Sequence, residues 1–366
     1  MMACMNMTRR QFLAQASTAA LAGGMSGVAA ASVTETLRSA GATRNLPVGC
    51  ATQDHHLTDA PDYVDLLKGQ AGILVTETVM KFGPLRPTPT TFFFDDADRV
   101  VNFATTNGMK MRGHNFVWHR NLGKWFDGYA TTANAEQILV DHIETVAGRY
   151  AGQLHSWDVV NEAVQVEDGL PGGMRNSPWL KLVGPGYLDV AYRTARRADP
   201  KAMLVYNDYG IEGENDAAQK KRDAVLALLH GMQDRNVPID ALGVQSHLSA
   251  GPTHRYGKGL MKLLDHVHAM GLKVLVTEMD VNDRDLPPDI AGRDAAVAAV
   301  YGSYLSMVAP HPALCAVLTW GLTDRWTWLN GENSRKDGQH ERPLPFDEAL
   351  APKSAFTAMT RALRKT

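Results

Sequence analysis

The sequence predicts an α/β protein built as a single (β/α)8 TIM barrel. From about residue 46 onward, short apolar runs alternate with longer amphipathic ones, which is typical of β/α units around a parallel sheet. Eight such runs in about 320 residues are enough to close a barrel that leaves no strand edge exposed. No Pro-rich or Ser/Thr-rich linker and no internal repeat indicates a second domain. We therefore expect one domain over residues 46–366.

The strands are short runs rich in β-branched residues. They are predicted over residues 46–52, 72–77, 109–115, 154–162, 202–208, 241–247, 273–280 and 313–321. Apolar residues at helical spacing predict helices between them, among them residues 134–149, 217–235, 260–270 and 293–308. In such a barrel, side chains fill the interior and the functional site lies at the carboxyl ends of the strands.

The first 31 residues differ in kind from the rest. Arg9 and Arg10 precede a mildly apolar, Ala/Gly-rich run that ends at Ala31. This pattern is similar to a twin-arginine export signal that is cut after Ala31. We expect residues 1–31 to be removed, residues 32–45 to form a linker, and the mature protein to be periplasmic or secreted, with no membrane contact. A disordered or helical N-terminal extension is the alternative.

Composition excludes several classes of partner. The chain has 366 residues, is 45% hydrophobic and 21% charged, and carries a formal net charge of −2. This near-neutral balance, without long basic runs, gives no reason to expect binding to nucleic acid or to an anionic membrane. We expect a monomer. Cys50 and Cys315 fall on the first and last predicted strands, so we expect them close together, as buried thiols rather than a disulfide.

Carboxylates stand at the ends of predicted strands two, four and seven: Glu77, Glu162 and Glu278. Strands four and seven lie across the barrel mouth from each other, so Glu162 and Glu278 are predicted to face one cavity. Glycoside hydrolysis needs this arrangement, because one carboxyl group protonates the leaving oxygen while the other attacks or activates water. Tryptophans in the loops after strands three and eight offer flat surfaces on which sugar rings can pack.

Eight stretches of sequence make the comparison specific. They are ETVMK (77–81), GHNFVWH (113–119), WDVVNEA (157–163), NDY (207–209), GVQSHL (243–248), VTEMD (276–280), WGLTDRWTWL (320–329) and PLPFDEALAPKSAF (343–356). With these stretches, in this order, the chain resembles the family 10 glycoside hydrolases, which are retaining endo-β-1,4-xylanases. The resemblance implies that β-1,4-xylosidic bonds of xylan or xylooligosaccharides are cleaved through a covalent glycosyl-enzyme, with no metal and no other cofactor.

The resemblance also implies roles for individual residues. Glu162 would be the general acid/base and Glu278 the nucleophile, with carboxyl groups about 5 to 5.5 Å apart as in other retaining enzymes. Hydrogen bonds from His247 and Gln245 would keep Glu278 ionised, and Asp280 would hold His247. The supporting residues would be Asn161, Gln245, His247 and Asp280. The residues that bind the sugar chain would be Glu77, Lys81, His114, Trp118, Asn207, Tyr209, Trp320 and Trp328.

Several positions depart from the pattern of that family. The stretch ETVMKF stands where the family usually has ENEMKW, and NDYG stands where it has NDYN. Thr78 and Phe82 therefore replace side chains on the distal-sugar side, and Gly210 replaces one on the leaving-group side. We expect altered sugar affinity, or a preference for short or decorated chains.

Other functions fit part of the pattern. A β-1,4-glucanase of a related barrel family would have the same two Glu residues, although the resemblance places the ring of Trp328 where a glucose hydroxymethyl group would lie. A non-catalytic xylan-binding protein is a second alternative. A metallohydrolase could use His114, His119 and His247, but no HxH pair follows the first strand. For the run Asp54, His55 and His56, a solvated loop or a supporting network is preferred to a metal site.

Overall fold

The protein is described by a computed structural model that covers residues 35–331 and 334–365. The predicted export signal, residues 1–31, lies outside the described residues. Within the described ranges, no helix is both long enough and apolar enough to cross a bilayer.

The described residues contain a closed sheet of parallel strands. The strands are β1 (Val48–Thr52), β2 (Ile73–Thr76), β3 (Lys110–Val117), β4 (Ser156–Asn161), β5 (Met203–Asp208), β6 (Ala241–Val244), β7 (His247–Ser249), β8 (Lys273–Asn282) and β9 (Leu314–Thr319). Their order is β6-β5-β4-β3-β2-β1-β9-β8-β7, and β6 also pairs with β8, which closes the ring. The predicted (β/α)8 barrel is thereby confirmed.

The sixth predicted strand is interrupted. Residues 241–247 were expected to form one strand, but they form β6 and the start of β7, with Gln245 and Ser246 between them. Ser246 has a φ of 61°, which lies in the left-handed region and breaks the regular ladder. As a result β6 pairs with β5 and β8, whereas β7 pairs with β8 alone.

Helices surround the strands. They are α1 (Leu37–Ala42), α2 (His56–Asp59), α3 (Pro61–Gln70), α4 (Phe82–Leu85), α5 (Asp95–Thr106), α6 (Phe126–Tyr129), α7 (Ala135–Arg149), α8 (Pro178–Val183), α9 (Tyr187–Ala198), α10 (Asp216–Asp234), α11 (Lys258–Ala269), α12 (Ile290–Val308) and α13 (Ser354–Leu363). The four helices predicted by range correspond to α7, α10, α11 and α12. Short 3-10 helices cover Val166–Asp168, Pro171–Gly173, Asp324–Trp326 and Trp328–Asn330.

The expected linker over residues 32–45 contains α1, so that expectation is wrong from residue 37 onward. Leu37 and Ala40 of α1 are buried in the main core, and the helix packs against α13. After the helix, the Arg44 Nε donates to the backbone oxygen of Leu363 at 3.0 Å. The segment therefore belongs to the barrel domain. Its six residues are too few to show helical periodicity in the sequence.

The core has two layers, and the two cysteines lie in different ones. The larger layer lies between strands and helices and includes Cys50. The second fills the barrel interior and is formed by Ala51, Ile73, Val75, Val205, Ala241, Leu275, Ala316, Leu318 and Trp320. Cys315 packs against this inner layer, and both cysteines are free. Their strands are neighbours, as expected, but the thiols lie in separate layers of the core.

Candidate active site

A cleft of about 630 Å³ opens at the carboxyl ends of the strands. Most of the predicted site residues line it: Glu77, Lys81, His114, Trp118, Asn161, Glu162, Tyr209, Gln245, His247, Glu278, Trp320 and Trp328. Asn207 and Asp280 are buried behind this wall and bond to residues that form it. The barrel therefore brings together side chains that come from seven separate stretches of sequence.

Glu278 lies on β8 and is buried among hydrogen-bond donors. Its Oε1 accepts from the Asn207 Nδ2 at 2.7 Å, and its Oε2 lies 3.3 Å from the His247 Nε2. Burial alone would raise the pKa of Glu278. The hydrogen bond from His247, the charges of His114 and His247, and the hydrogen bond from Asn207 together lower this pKa to about 2. The carboxylate of Glu278 is therefore ionised at neutral pH.

His247 lies between two carboxylates. Its Nδ1 is 3.0 Å from the Asp280 Oδ1, and the other oxygen of Asp280 accepts from the Trp328 Nε1 at 2.8 Å. Burial would lower the pKa of His247, but the carboxylates of Asp280 and Glu278 raise it well above its usual value. Asp280 thus holds both the imidazole beside Glu278 and the indole that borders the cleft.

Glu162 follows β4 directly and meets amides rather than cations at its Oε1. That oxygen accepts from the Gln245 Nε2 at 3.1 Å and from the Asn161 Nδ2 at 3.2 Å. We expected Gln245 to bond to Glu278, and this expectation is wrong. Gln245 precedes the break at Ser246, and its side chain points toward Glu162 at the end of β4. His247 follows the break, and its side chain points toward Glu278 on β8.

Asn207 connects the surroundings of the two carboxylates. Its Nδ2 donates to the Asn161 Oδ1 at 2.9 Å as well as to Glu278, and its Oδ1 accepts from the Thr277 Oγ1 at 2.7 Å. Gly243 makes room for it, because a Cβ there would lie 2.3 Å from the Asn207 Oδ1. The expected contact of Asn207 with the sugar is wrong, since this side chain is fully buried.

On the other side of the cleft, Lys81 extends over aromatic rings. Its Nζ lies 4.8 Å from the centre of the Trp118 ring and 5.7 Å from that of Trp320. Burial lowers the pKa of Lys81, although nearby carboxylates oppose this effect. Glu77 accepts from the Gln53 Nε2 at 2.9 Å, and its burial raises its pKa to about 7.

His114 is fixed from behind. Its Nδ1 lies 2.8 Å from the Asp158 Oδ2, and Asp158 also pairs with the buried guanidinium of Arg112. The ring meets Trp320 edge to face, with centroids 5.3 Å apart. The inner wall of the cleft is therefore rigid, because its polar ring is tied to a buried ion pair.

The comparison with known proteins agrees with this geometry. The sequence profile of glycosyl hydrolase family 10 matches residues 36–362. The chain belongs to this family. Endo-1,4-beta-xylanase B of Thermotoga neapolitana is 31% identical over 88% of this chain and 89% of its own length. A thermostable celloxylanase of Thermoclostridium stercorarium is 33% identical over 86% and 84% of the two chains. Some family 10 relatives are longer: the chain spans 30% of endo-1,4-beta-xylanase C of Paenibacillus barcinonensis.

Solved family 10 structures are similar over the whole barrel. Xylanase 10B of Thermotoga maritima has a TM-score of 0.81 and 31% identity, over 90% of this chain and 98% of its own. Xylanase 10B of Thermotoga petrophila RKU-1, solved in complex with xylobiose, has a TM-score of 0.81 and 30% identity, over 90% and 97% of the two chains.

The departures from the family 10 pattern at Thr78, Phe82 and Gly210 have different surroundings. Thr78 lines the cleft. Gly210 borders an adjoining hollow of about 300 Å³, which Tyr209 and His247 also line. Phe82 is buried and packs edge to face on Trp179, so our expectation that its replacement alters a sugar contact is wrong.

Sequence reasoning missed part of the cleft wall: Gln53, Arg120 and Arg175 line it, as does His119, which we considered only as a metal ligand. The Arg175 Nε donates to the backbone oxygen of Glu162 at 2.6 Å, and its Nη2 donates to the Tyr209 hydroxyl at 3.0 Å. These residues lie in loops, where no periodicity indicates which way a side chain points.

The histidine-rich run after β1 takes part in packing and ion pairing. Asp54 pairs with Arg99 at 2.8 Å, and His56 stacks on Trp326 with ring centroids 3.9 Å apart. Across residues 35–331 and 334–365, no cluster of three or more His, Cys, Asp or Glu side chains is arranged to hold a metal ion.

Proposed function

We propose that this family 10 chain cleaves β-1,4-xylosidic bonds within xylan and xylooligosaccharides with retention of anomeric configuration. The observation that carries the proposal is the contrast between two carboxyl groups on one cleft. Glu278 is held ionised chiefly by its contacts with His247 and Asn207. The Oε1 of Glu162 accepts from neutral amides, and the Arg175 Nη2 lies 4.0 Å from its Oε2. The relatives named endo-1,4-beta-xylanase support xylan as the substrate.

In the proposed first step, a carboxylate oxygen of Glu278 attacks the anomeric carbon, and the departing glycosidic oxygen takes the proton of Glu162. A glycosyl ester on Glu278 and a shortened chain result. In the second step, water attacks the anomeric carbon, gives a proton to ionised Glu162 and releases Glu278 as a carboxylate. Because each step inverts the anomeric carbon, the product retains the original configuration.

The remaining cleft residues are proposed to hold the sugar chain. Trp118, Trp320 and Trp328 offer apolar faces, and Trp328 is 44% exposed, so its ring is free to receive a sugar. Asn161, Lys81 and Glu77 would bond sugar hydroxyls, as would His114 and Tyr209. Gln245, His247 and Asp280 would act as supports for the two carboxylates.

The proposal is tested with defined xylooligosaccharides and with NMR assignment of the first anomer released. The β-anomer should appear first. Glu278→Ala should be inactive. Glu162→Ala should still release the aryl group of aryl xylosides in the first step, because that leaving group needs no proton, but it should turn over slowly because the second step lacks its base. Glu144→Ala, which removes an exposed carboxylate on α7, is the control and should behave as wild type. An α-anomer as first product, or an active Glu278→Ala variant, would contradict the mechanism.

Activity on β-1,4-glucan is the second candidate, favoured by the relative named a celloxylanase. Initial rates on xylan and on carboxymethylcellulose separate the two substrates. We expect the rate on xylan to be higher, because the Trp328 ring would crowd a glucose hydroxymethyl group. A faster rate on carboxymethylcellulose would reverse this assignment.

We further propose that the chain is exported and acts as a monomer. The support for export is the Arg9 and Arg10 pair before the Ala/Gly-rich run. Replacing both arginines by lysine should retain the full-length chain in the cytoplasm. N-terminal sequencing should show that the exported chain begins at residue 32. One structural neighbour is described as an intracellular xylanase of Thermoanaerobacterium saccharolyticum, so export has to be tested for this chain itself. Size-exclusion chromatography tests the monomer.

A further inference from the structure

Ser246 lies at the break between β6 and β7 in an unusual backbone conformation. It is fully buried and has a φ of 61°, in the left-handed region that residues other than glycine adopt rarely. Gln245 precedes it and bonds to Glu162, whereas His247 follows it and contacts Glu278. The position of this one peptide segment therefore sets the partners of both carboxylates.

The break leaves the backbone N–H of Ser246 without a strand partner. The preceding N–H, that of Gln245, donates to the Asp208 carbonyl at 2.9 Å, and β5 ends at Asp208. A buried N–H without an acceptor destabilises the folded chain, because it has given up its hydrogen bond to water. Glu212, in the loop after β5, supplies the acceptor: its Oε1 receives the Ser246 N–H at 2.8 Å.

Glu212 is itself buried, with 3% of its surface exposed. It does not line the main cleft, but it borders the adjoining hollow at Gly210. Burial raises its pKa, and this effect is opposed chiefly by the hydrogen bonds from the backbone N–H groups of Ser246 and of Glu212 itself. The proposed reaction gives this carboxyl group no task of its own. Its polar contact is with the backbone that carries Gln245 and His247.

The same segment also anchors β8. The backbone N–H of Glu278 donates to the Gln245 carbonyl at 3.0 Å, and that of Asp280 donates to the Ser246 carbonyl at 3.3 Å. A shift of the segment would therefore move Glu278 as well as its partner His247. A misplacement of about 1 Å can cost about 100-fold in rate.

We infer that Glu212 is a positioning residue for the hydrolysis proposed above, and that it acts as the acceptor which fixes the Ser246 peptide. The inference rests on the proposed function. The side chain of Ser246 has a separate contact of 2.8 Å, between its Oγ and the Tyr304 hydroxyl on α12. That contact holds the side chain and not the backbone.

Three variants at position 212 show whether Glu212 acts as a hydrogen-bond acceptor or through its negative charge. Glu212→Gln keeps a carbonyl oxygen at the same reach, Glu212→Asp keeps the charge but withdraws the oxygen, and Glu212→Ala removes both. With xylohexaose, we expect kcat to stay within about threefold of wild type in Glu212→Gln, and to fall about 10- to 100-fold in Glu212→Ala. Glu212→Asp should lie between them, and KM should change less than about threefold, because the side chains proposed to bind the sugar are intact.

The matched control is Tyr304→Phe, which removes the contact between the Tyr304 hydroxyl and the Ser246 side chain. It should behave as wild type, because the Ser246 Oγ also lies 3.3 Å from the Val244 carbonyl. A Glu212→Asp variant as fast as or faster than Glu212→Gln would overturn the inference, as would an undiminished kcat in folded Glu212→Ala. If Glu212→Ala does not fold, the kcat values of Glu212→Gln and Glu212→Asp still test the inference.

Substrates with different leaving groups give a second readout. An aryl xylobioside with a good leaving group needs no proton from Glu162, so its rate depends on Glu278 alone in the first step. Glu212→Ala should be slow on this substrate and on xylohexaose, since the segment serves both carboxylates. A defect confined to xylohexaose would contradict that shared role. If wild type itself leaves xylohexaose intact, the proposed function fails, whereas the outcomes above test only Glu212.

Discussion

Glu162 and Glu278 carry the same side chain, yet the groups that contact them differ, since amides donate to Glu162 and an imidazole contacts Glu278. Glu278 faces His247, a cation that Asp280 holds in place, and it also accepts from Asn207. Asn207 reaches the surroundings of both carboxylates because Gly243 leaves space for it. The division of labour in a two-carboxylate reaction therefore depends on the side chains that contact the carboxylates, some in the cleft wall and some buried behind it.

Asp280→Asn should make the enzyme sensitive to acid. In wild type the pKa of Glu278 is about 2, so the nucleophile stays ionised and kcat/KM should hold as the pH falls toward that value. Without the Asp280 carboxylate, His247 loses the largest of the interactions that raise its pKa. The effect of His247 on Glu278 is then weaker, and the burial of Glu278 is opposed mainly by His114 and Asn207. The acid limb of kcat/KM should move up by at least about one pH unit.

The control for this measurement is Trp328→Phe, which removes the other hydrogen bond to Asp280. It should change KM, because Trp328 lines the cleft, but it should leave the acid limb in place. An acid limb that is unmoved in Asp280→Asn would mean that His247 does not set the pKa of Glu278.

At the scale of elements, His142 on α7 shows how this helix packs against α4. It is fully buried, its ring lies 4.2 Å from that of Phe82 between centroids, and neither ring nitrogen has a hydrogen-bond partner among the described residues. Burial, helped by the charge of Arg86, lowers the pKa of His142 to about 3. The imidazole is therefore neutral in the folded protein at neutral pH.

His142→Leu should remove an acid-dependent loss of stability. The folded pKa of about 3 lies below the ordinary value near 6.5, so protonation favours unfolding, and stability is lost as the pH falls from 6.5 toward 3. Between pH 7 and pH 4 this one group accounts for up to about 3 kcal/mol. Urea unfolding of both proteins at the two pH values measures the difference. Equal pH dependence in wild type and variant would show that His142 is not buried in its neutral form.

The sequence predicted elements whose signal is periodic and missed those whose signal lies in the backbone. The barrel strands and α7, α10, α11 and α12 were foreseen because their apolar residues alternate or recur at helical spacing. The break at Ser246 was not, because Gln, Ser and His alternate as a strand would, and only φ reveals the turn. Asn207 was assigned to the sugar because a motif gives a residue's identity but not the depth at which its side chain lies.

At the scale of the whole molecule, the two ends of the barrel domain are joined. β1 pairs with both β2 and β9, and α1, which precedes β1, packs against α13 at the end of the chain. Arg38 of α1 also donates to the carbonyl of Ala71, at the end of α3, at 3.3 Å. The cleft lies at the carboxyl ends of the strands, whereas α1 leads into the amino end of β1. The contacts that join the two ends of the domain thus lie away from the cleft.

Truncation at two points tests whether α1 belongs to the folded barrel. A chain that starts at residue 35 keeps α1 and should match the longer protein in melting temperature. A chain that starts at residue 46 loses the burial of Leu37 and Ala40 and the bonds of Arg38 and Arg44, so its melting temperature should fall by roughly 5 to 10 °C. At 25 °C, kcat on xylohexaose should be the same for both, because no residue of α1 lines the cleft. Equal melting temperatures would show that residues 35–45 act as a linker, because removing a helix that contributes to the core lowers the stability of the fold.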